Sequence, residues 1–114
     1  MAATAYASGT QTCTVTTEHF LSSPNVAGVY TLNLDTNALA AGDILEVRLY
    51  KMVLTGGTAR VAYVDAYAGA QPTDDKIKIS VPLATGLSET NGLRFSITQT
   101  AGTGRNIPWS LETY

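Results

Sequence analysis

Apolar residues in this chain recur at every second position over short runs, and turn-forming residues separate the runs. That period belongs to half-buried β-strands, and its repetition at short intervals predicts an antiparallel β-sandwich. Seven runs stand out. Thr10–Phe20 places Thr10, Thr12, Thr14 and Thr16 on one face, opposite Gln11, Cys13, Val15 and Thr17, and reads as a polar edge strand. Gly28–Asp35 sets Tyr30, Leu32 and Leu34 against Thr31 and Asn33, with the first three facing a core. Between Asp35 and Asp43 the composition predicts a helical turn, capped by Asp35 or Thr36 and stopped by Gly42.

Leu45–Thr55 and Thr58–Tyr67 flank Gly56-Gly57, the composition of a two-residue hairpin turn whose central residues take positive φ. Such a turn sets Arg48 opposite Asp65, Tyr50 opposite Tyr63, Met52 opposite Val61 and Val53 opposite Arg60. One face then carries Tyr50, Met52, Leu54, Val61 and Tyr63, the other Val47, Leu49, Val53, Ala62 and Val64. Both are apolar, so one packs on the core and the other needs a cover, either a loop of the same chain or another subunit.

In Lys76–Val81 the residues Ile77, Ile79 and Val81 alternate with Lys76, Lys78 and Ser80, which predicts an amphipathic strand with its lysines outward, ended by Pro82. Leu93–Thr100 and Trp109–Tyr114 complete the set. The glycine loop between them, Gln99–Arg105, reads as a hairpin connection that brings Trp109 into the core. Seven strands with room for an eighth suit a jelly-roll-like sandwich. At 114 residues the chain fits one domain, 9–114, preceded by an arm, Met1–Ser8, built of small residues without a period.

Composition narrows the function. Charged residues are only 14%, against 45% hydrophobic and 17 threonines, which makes a neutral, hydroxyl-rich surface inclined to pack on protein. A net charge of −2 with seven scattered basic residues argues against nucleic acid as a partner. No run reaches membrane-spanning length, and the N-terminus lacks the basic and apolar regions of a secretory signal, so the chain reads as a cytosolic product without a membrane partner.

Nothing assembles a catalytic constellation. The lone His19 lies six residues from the lone Cys13 on an extended strand, too far for a nucleophilic pair. Asp65, Asp74 and Asp75 lack the glycine-rich spacing of a calcium loop. Gly102-Thr-Gly104 has the look of a phosphate cradle, yet Arg105 and a proline follow it where a helix would be needed. The expectation is therefore no catalytic residue, no metal and no cofactor. Six tyrosines and Trp109 leave a sugar-stacking role as a rival, although Trp109 reads more simply as core.

The hairpin Val47–Tyr67 with its Leu-Thr-Gly-Gly-Thr turn, the segment Gln71-Pro-Thr-Asp-Asp-Lys-Ile-Lys-Ile-Ser-Val-Pro82 and the ending Arg94–Trp109 resemble small structural proteins encoded near the capsid genes of tailed bacteriophages. The resemblance covers Leu32–Tyr114. It implies a virion component on the capsid surface, assembled in the host cytoplasm: a capsid cement or decoration protein, oligomeric and often trimeric, whose partner is the major capsid protein. A head-spike, neck or tail subunit, or a jelly-roll carbohydrate-binding module, are the alternatives. On this reading Met1–Ser8 and the threonine strand supply reach. Val47, Leu49, Val53, Ala62 and Val64 supply the subunit contact, with Thr10, Thr12, Thr14 and Thr16 as the hydroxyl-rich second surface.

Overall fold

The computed structural model describes residues 3–114 and contains nine strands: β1 Thr4–Thr12, β2 Glu18–Ser22, β3 Gly28–Asp35, β4 Ile44–Lys51, β5 Arg60–Ala68, β6 Ile77–Ile79, β7 Leu83–Thr85, β8 Leu93–Ala101 and β9 Asn106–Thr113. All pairings are antiparallel, and no described residue is helical. Sheet I runs β1-β9-β3-β6, with β7 also on β3; sheet II runs β2-β8-β4-β5. The expected all-β sandwich is present, with nine strands where seven or eight were expected. The chain crosses between the sheets at every connection except the β4–β5 hairpin and the β6–β7 link.

The core lies between the sheets. Sheet I contributes Tyr30, Leu32, Leu34, Ile107 and Leu111, and sheet II contributes Leu45, Val47, Leu49, Leu93, Phe95 and Ile97, none more than 2% exposed. Each set alternates along its strand, which is the pattern that selects which face of a pleated sheet is buried. Trp109 is half-buried against this core, and Gly9 opposite it leaves room for the indole: a Cβ there would touch the ring at 3.4 Å.

Several expected local features take a different form. Thr10–Phe20 is two strands rather than one: β1 ends at Thr12 and the chain turns through Cys13–Thr17, with Thr16 at φ 71°. It then enters the other sheet as β2. Alternating threonines carry no signal for such a crossing. The segment expected as an arm is, from Thr4 onward, an ordinary part of β1 paired with β9, while Met1 and Ala2 lie outside the described residues. Asp35–Asp43 forms two turns in place of a helical one. The Asp35 carboxylate accepts from Asn37 N, and Thr36 bonds across to the Lys76 carbonyl, which holds the backbone away from helical geometry.

The hairpin register also differs. Val47 faces Asp65, Arg48 faces Val64, and Leu49 faces Tyr63; a bulge at Ala62 then brings Tyr50 opposite Val61. The connection is a loop, Met52–Ala59, because Met52 donates its N–H to Gly92 O and is buried, ending the ladder before the glycines. A shift of one residue exchanges faces. Beyond the bulge it separates Val64 from Val47 and Leu49: the latter two are buried core residues and not contact residues, while Val64 lies on the opposite, exposed face.

The largest reversal is β6. Lys78 is opposite Leu34 and only 9% exposed, whereas Ile77 and Ile79 are 55% and 66% exposed. The lysine points inward because its stem crosses the sandwich edge and its ammonium finds partners there, Asp75 at 2.8 Å and the Tyr67 ring at 5.2 Å.

Candidate assembly surfaces

The sequence-derived residues scatter over three environments. Val47 and Leu49 are buried in the core, so two members of the expected contact face are withdrawn from it. Ala62 and Val64 stay exposed on the outer side of β5, and Val53 stands at the tip of the Met52–Ala59 loop. Thr10 and Thr12 are exposed on β1, at the edge of sheet I, while Thr14 and Thr16 sit in the crossing turn and no longer continue that face.

The outer face of sheet II is covered from within the chain. The registers bring Glu18, Phe20, Ser96, Thr98, Arg94, Glu46, Arg48 and Tyr50 onto it. Tyr50 Oη and Ser96 Oγ each donate to Glu18 Oε2 at 2.6 Å. The Arg94 guanidinium lies over the Phe20 ring at 3.7 Å, and Arg48 Nε pairs with Glu46. These side chains close over Ser96, which is fully buried. Burial alone would raise the Glu18 pKa, but the Ser96 and Tyr50 hydroxyls, helped by Arg48 and Arg94, bring it below its ordinary value. The face that sequence left apolar and uncovered is thus closed by a charged and aromatic layer on β2, β8 and β4. Its β5 margin, with Val61 and Val64, stays apolar and exposed, as does part of Phe20.

The glycine loop 102–105 encloses an anion belonging to the chain. Asp43 is 1% exposed, and its carboxylate accepts from Ala40 N at 2.9 Å, Thr103 N at 3.0 Å and Arg105 Nε at 2.7 Å. Gln99, also buried, accepts from Arg105 N and donates to the carbonyls of Ala101 and Thr103. The Ala40 N–H first, against the cost of burial, and then Arg105 and Thr103 hold the Asp43 pKa below its ordinary value. Gly102 has φ 90°, and a Cβ there would enter Asp43 Oδ1. The loop is a clasp between sheets rather than the expected hairpin, since β8 and β9 lie in different sheets. Its donors already serve Asp43, a role that spacing alone did not indicate.

The turn at Cys13–Thr17 brings the His19 ring back to Thr14, next to Cys13, where an extended strand was expected to hold the two apart. His19 Nε2 accepts from Thr14 N, the Cys13 thiol is buried with a raised pKa caused by burial, and Asp75 pairs with Lys78 while Asp65 bonds Tyr63 and Ala66. Among the described residues no group of three or more His, Cys, Asp or Glu is placed to hold a metal ion.

Exposed aliphatic surface is concentrated elsewhere. Val53 and Leu54, 80% and 74% exposed, cap the loop between β4 and β5. Ile77, Ile79 and Val81 line the free edge of sheet I, where a shallow groove of about 330 Å³ runs past Asn33, Asp35, Ile77, Pro108 and Ser110. No helix in the described residues is long and apolar enough to cross a membrane. No protein-family model matches the chain, and neither the curated proteins nor the solved structures yield a match.

Proposed function

We propose that this chain is a non-enzymatic structural subunit that works by docking on a larger protein assembly, as a cement or decoration protein of a bacteriophage capsid surface. The observation that carries the proposal is the distribution of exposed aliphatic side chains. The four most exposed, Val53, Leu54, Ile77 and Ile79, gather at two places, the loop between β4 and β5 and the β6 edge, while the outer face of sheet II is covered by its own charged layer except at the β5 margin with Val61 and Val64. Clustered apolar surface of this kind marks sites of protein contact. The likeness of Leu32–Tyr114 to small phage virion proteins gives the contact its setting, with the major capsid protein as partner and a homotrimer as the favoured form.

The strand order supports a jelly roll. When β6 and β7, which both pair with β3, are taken as halves of one strand, eight strands form two four-stranded sheets with alternating crossings. A cement protein stabilises a shell by binding the assembled state and not its free subunits, which raises shell stability by mass action. The slab is suited to that, since its extents of 41 × 30 × 19 Å offer broad faces for little height. A sugar-binding role fits less well because Arg94 occupies the face of Phe20 and Tyr50 is engaged with Glu18. A neck, tail or spike position would use the same surfaces.

The test is co-sedimentation of the purified protein with capsid shells lacking it, followed by electron microscopy of the decorated particles. Saturable binding at symmetry-related positions and an upward shift of the shell's disruption temperature are expected. Absence of binding to shells from the source phage would refute the capsid reading.

A further inference from the structure

We infer that the partner of the Val53–Leu54 loop tip is a second copy of this chain, which receives the tip in the groove on the outer face of its sheet I. The inference rests on the assembly reading above and divides its surfaces: the Val53–Leu54 loop and the sheet I groove serve contact between copies, and the other exposed surface, the Val61–Val64 margin included, is left for the capsid.

The first surface, here called the knob, is the exposed Val53–Leu54 pair on an ordered loop. Met52 is buried as its anchor, Gly57 N donates to Leu54 O, and Glu89 accepts from Gly56 N, so the tip is held in shape before it binds. The second surface is concave. Its walls are Ile77 on β6 and Pro108 on β9, and its polar groups are Asn33, Asp35 and Ser110. A groove of about 330 Å³ accommodates side chains the size of valine and leucine.

Charge selects this pairing over others. Lys51 and Arg60 face each other at the base of the knob and line the hollow beneath it with Val53 and Leu54. The outer face of sheet I carries Asp35 on β3 and Glu112 on β9. The one basic side chain in the strands of sheet I, Lys78, points inward, and the other cations are on sheet II or in loops, Lys76 immediately before Ile77 among them. Complementary charge of this kind fixes the orientation of a contact and speeds its formation. The reversed β6 suits the groove, since the inward Lys78 leaves Ile77 turned out to wall it.

Knob and groove are different surfaces of one chain, so the contact is heterologous, and repetition closes a ring or extends a chain. That geometry has a signature a two-fold contact lacks. Leu54→Asp destroys the knob and leaves the groove; Ile77→Asp destroys the groove and leaves the knob.

Sedimentation equilibrium from about 1 μM to about 1 mM, a range that brackets weak to moderate self-association, is expected to show oligomers of the full chain. Each variant should be monomeric, with its association weakened at least about tenfold by the charge placed in an apolar contact. An equimolar mixture of the two should give a one-to-one dimer joined by the single intact knob and groove. Circular dichroism verifies folding, and Leu54→Ser replaces Leu54→Asp if the latter does not fold. A wild-type monomer throughout, oligomers that survive in both variants, or a mixture that stays monomeric would each overturn the inference. A monomer that still decorates shells would remove this inference and leave the cement reading standing; a ring that ignores shells would do the reverse.

Discussion

Replacing Asp43 by alanine tests whether the Gln99–Arg105 loop is a stabilising clasp. The substitution removes the acceptor for two backbone N–H groups, those of Ala40 and Thr103, and for the Arg105 guanidinium. Hydrogen bonds to a charged group contribute about 1.5–3 kcal/mol each, and breaking one side of a buried ion pair costs about 3–5 kcal/mol. Arg105 is 30% exposed and can recover water, which places the loss near the middle of that range, at about 4 kcal/mol. For a domain of this size that lowers the melting temperature by about 15 °C. Gly102→Ala should act through the same group, since its methyl would enter Oδ1 and approach the Asp43 Cα at 2.7 Å from a backbone at φ 90°. The double variant should therefore lose less than the sum of the two single losses, with a coupling of about 1 kcal/mol or more. The pH dependence has a fixed sign. The folded pKa of Asp43 lies below its unfolded value, so its contribution is complete above the unfolded pKa and disappears as pH falls through the folded one. Melting curves of wild type and Asp43→Ala should thus converge in acid. A change below about 2 °C at neutral pH, or strict additivity with Gly102→Ala, would refute the clasp.

Other outcomes follow from single sites. Tyr50→Phe removes one of the two hydroxyls on Glu18 and should cost about 1–2 kcal/mol by urea denaturation. Because the folded Glu18 pKa is lowered, that cost should shrink in acid. Burial, with Asp65 next in weight, pushes the Tyr67 phenol up to about 12, so spectrophotometric titration should show a late tyrosine that Tyr67→Phe deletes. With the folded value above the unfolded one, Tyr67's contribution is whole below the unfolded pKa and declines as pH rises toward 12. Lys78→Met keeps the stem and removes a charge held at the sandwich edge, so its melting temperature should stay within a few degrees of wild type. Lys78→Glu should instead lower it well beyond that, by setting a carboxylate beside Asp75. Cys13 should react with a thiol reagent only on unfolding, because its thiol is buried.

Alternation located most strands, and at β3 it gave both the limits and the buried face, since Tyr30, Leu32 and Leu34 leave no competing apolar side. It failed where both sides had a claim. In Lys76–Val81 a period of two fits either orientation, and partners distant in sequence, Tyr67 and Leu34, decide in favour of an inward lysine. At the hairpin the turn falls one residue earlier than expected, at Leu54–Gly57 with Gly56 and not Gly57 at positive φ, and the bulge at Ala62 shifts the register beyond it. The charged layer over Ser96 draws on three strands, and the Asp43 clasp joins residues about 60 positions apart. Neither leaves a local pattern to read. Ala62, Val64 and Val53 were identified for an apolar face, and they stay exposed although that face is not the one expected.

The pairing of β1 with β9 has a consequence for the order of events in the cell. The first strand has no partner until the last has been synthesised, and the sheet I groove takes one wall, Pro108, from that same last strand. Pairing between strands so distant in the chain is slow, because loop closure precedes any gain from contact. The groove thus exists only after β9 has paired. On the self-association inferred above, a chain that has not yet made β9 has no groove in which to receive another copy, so growth of the assembly waits for that strand.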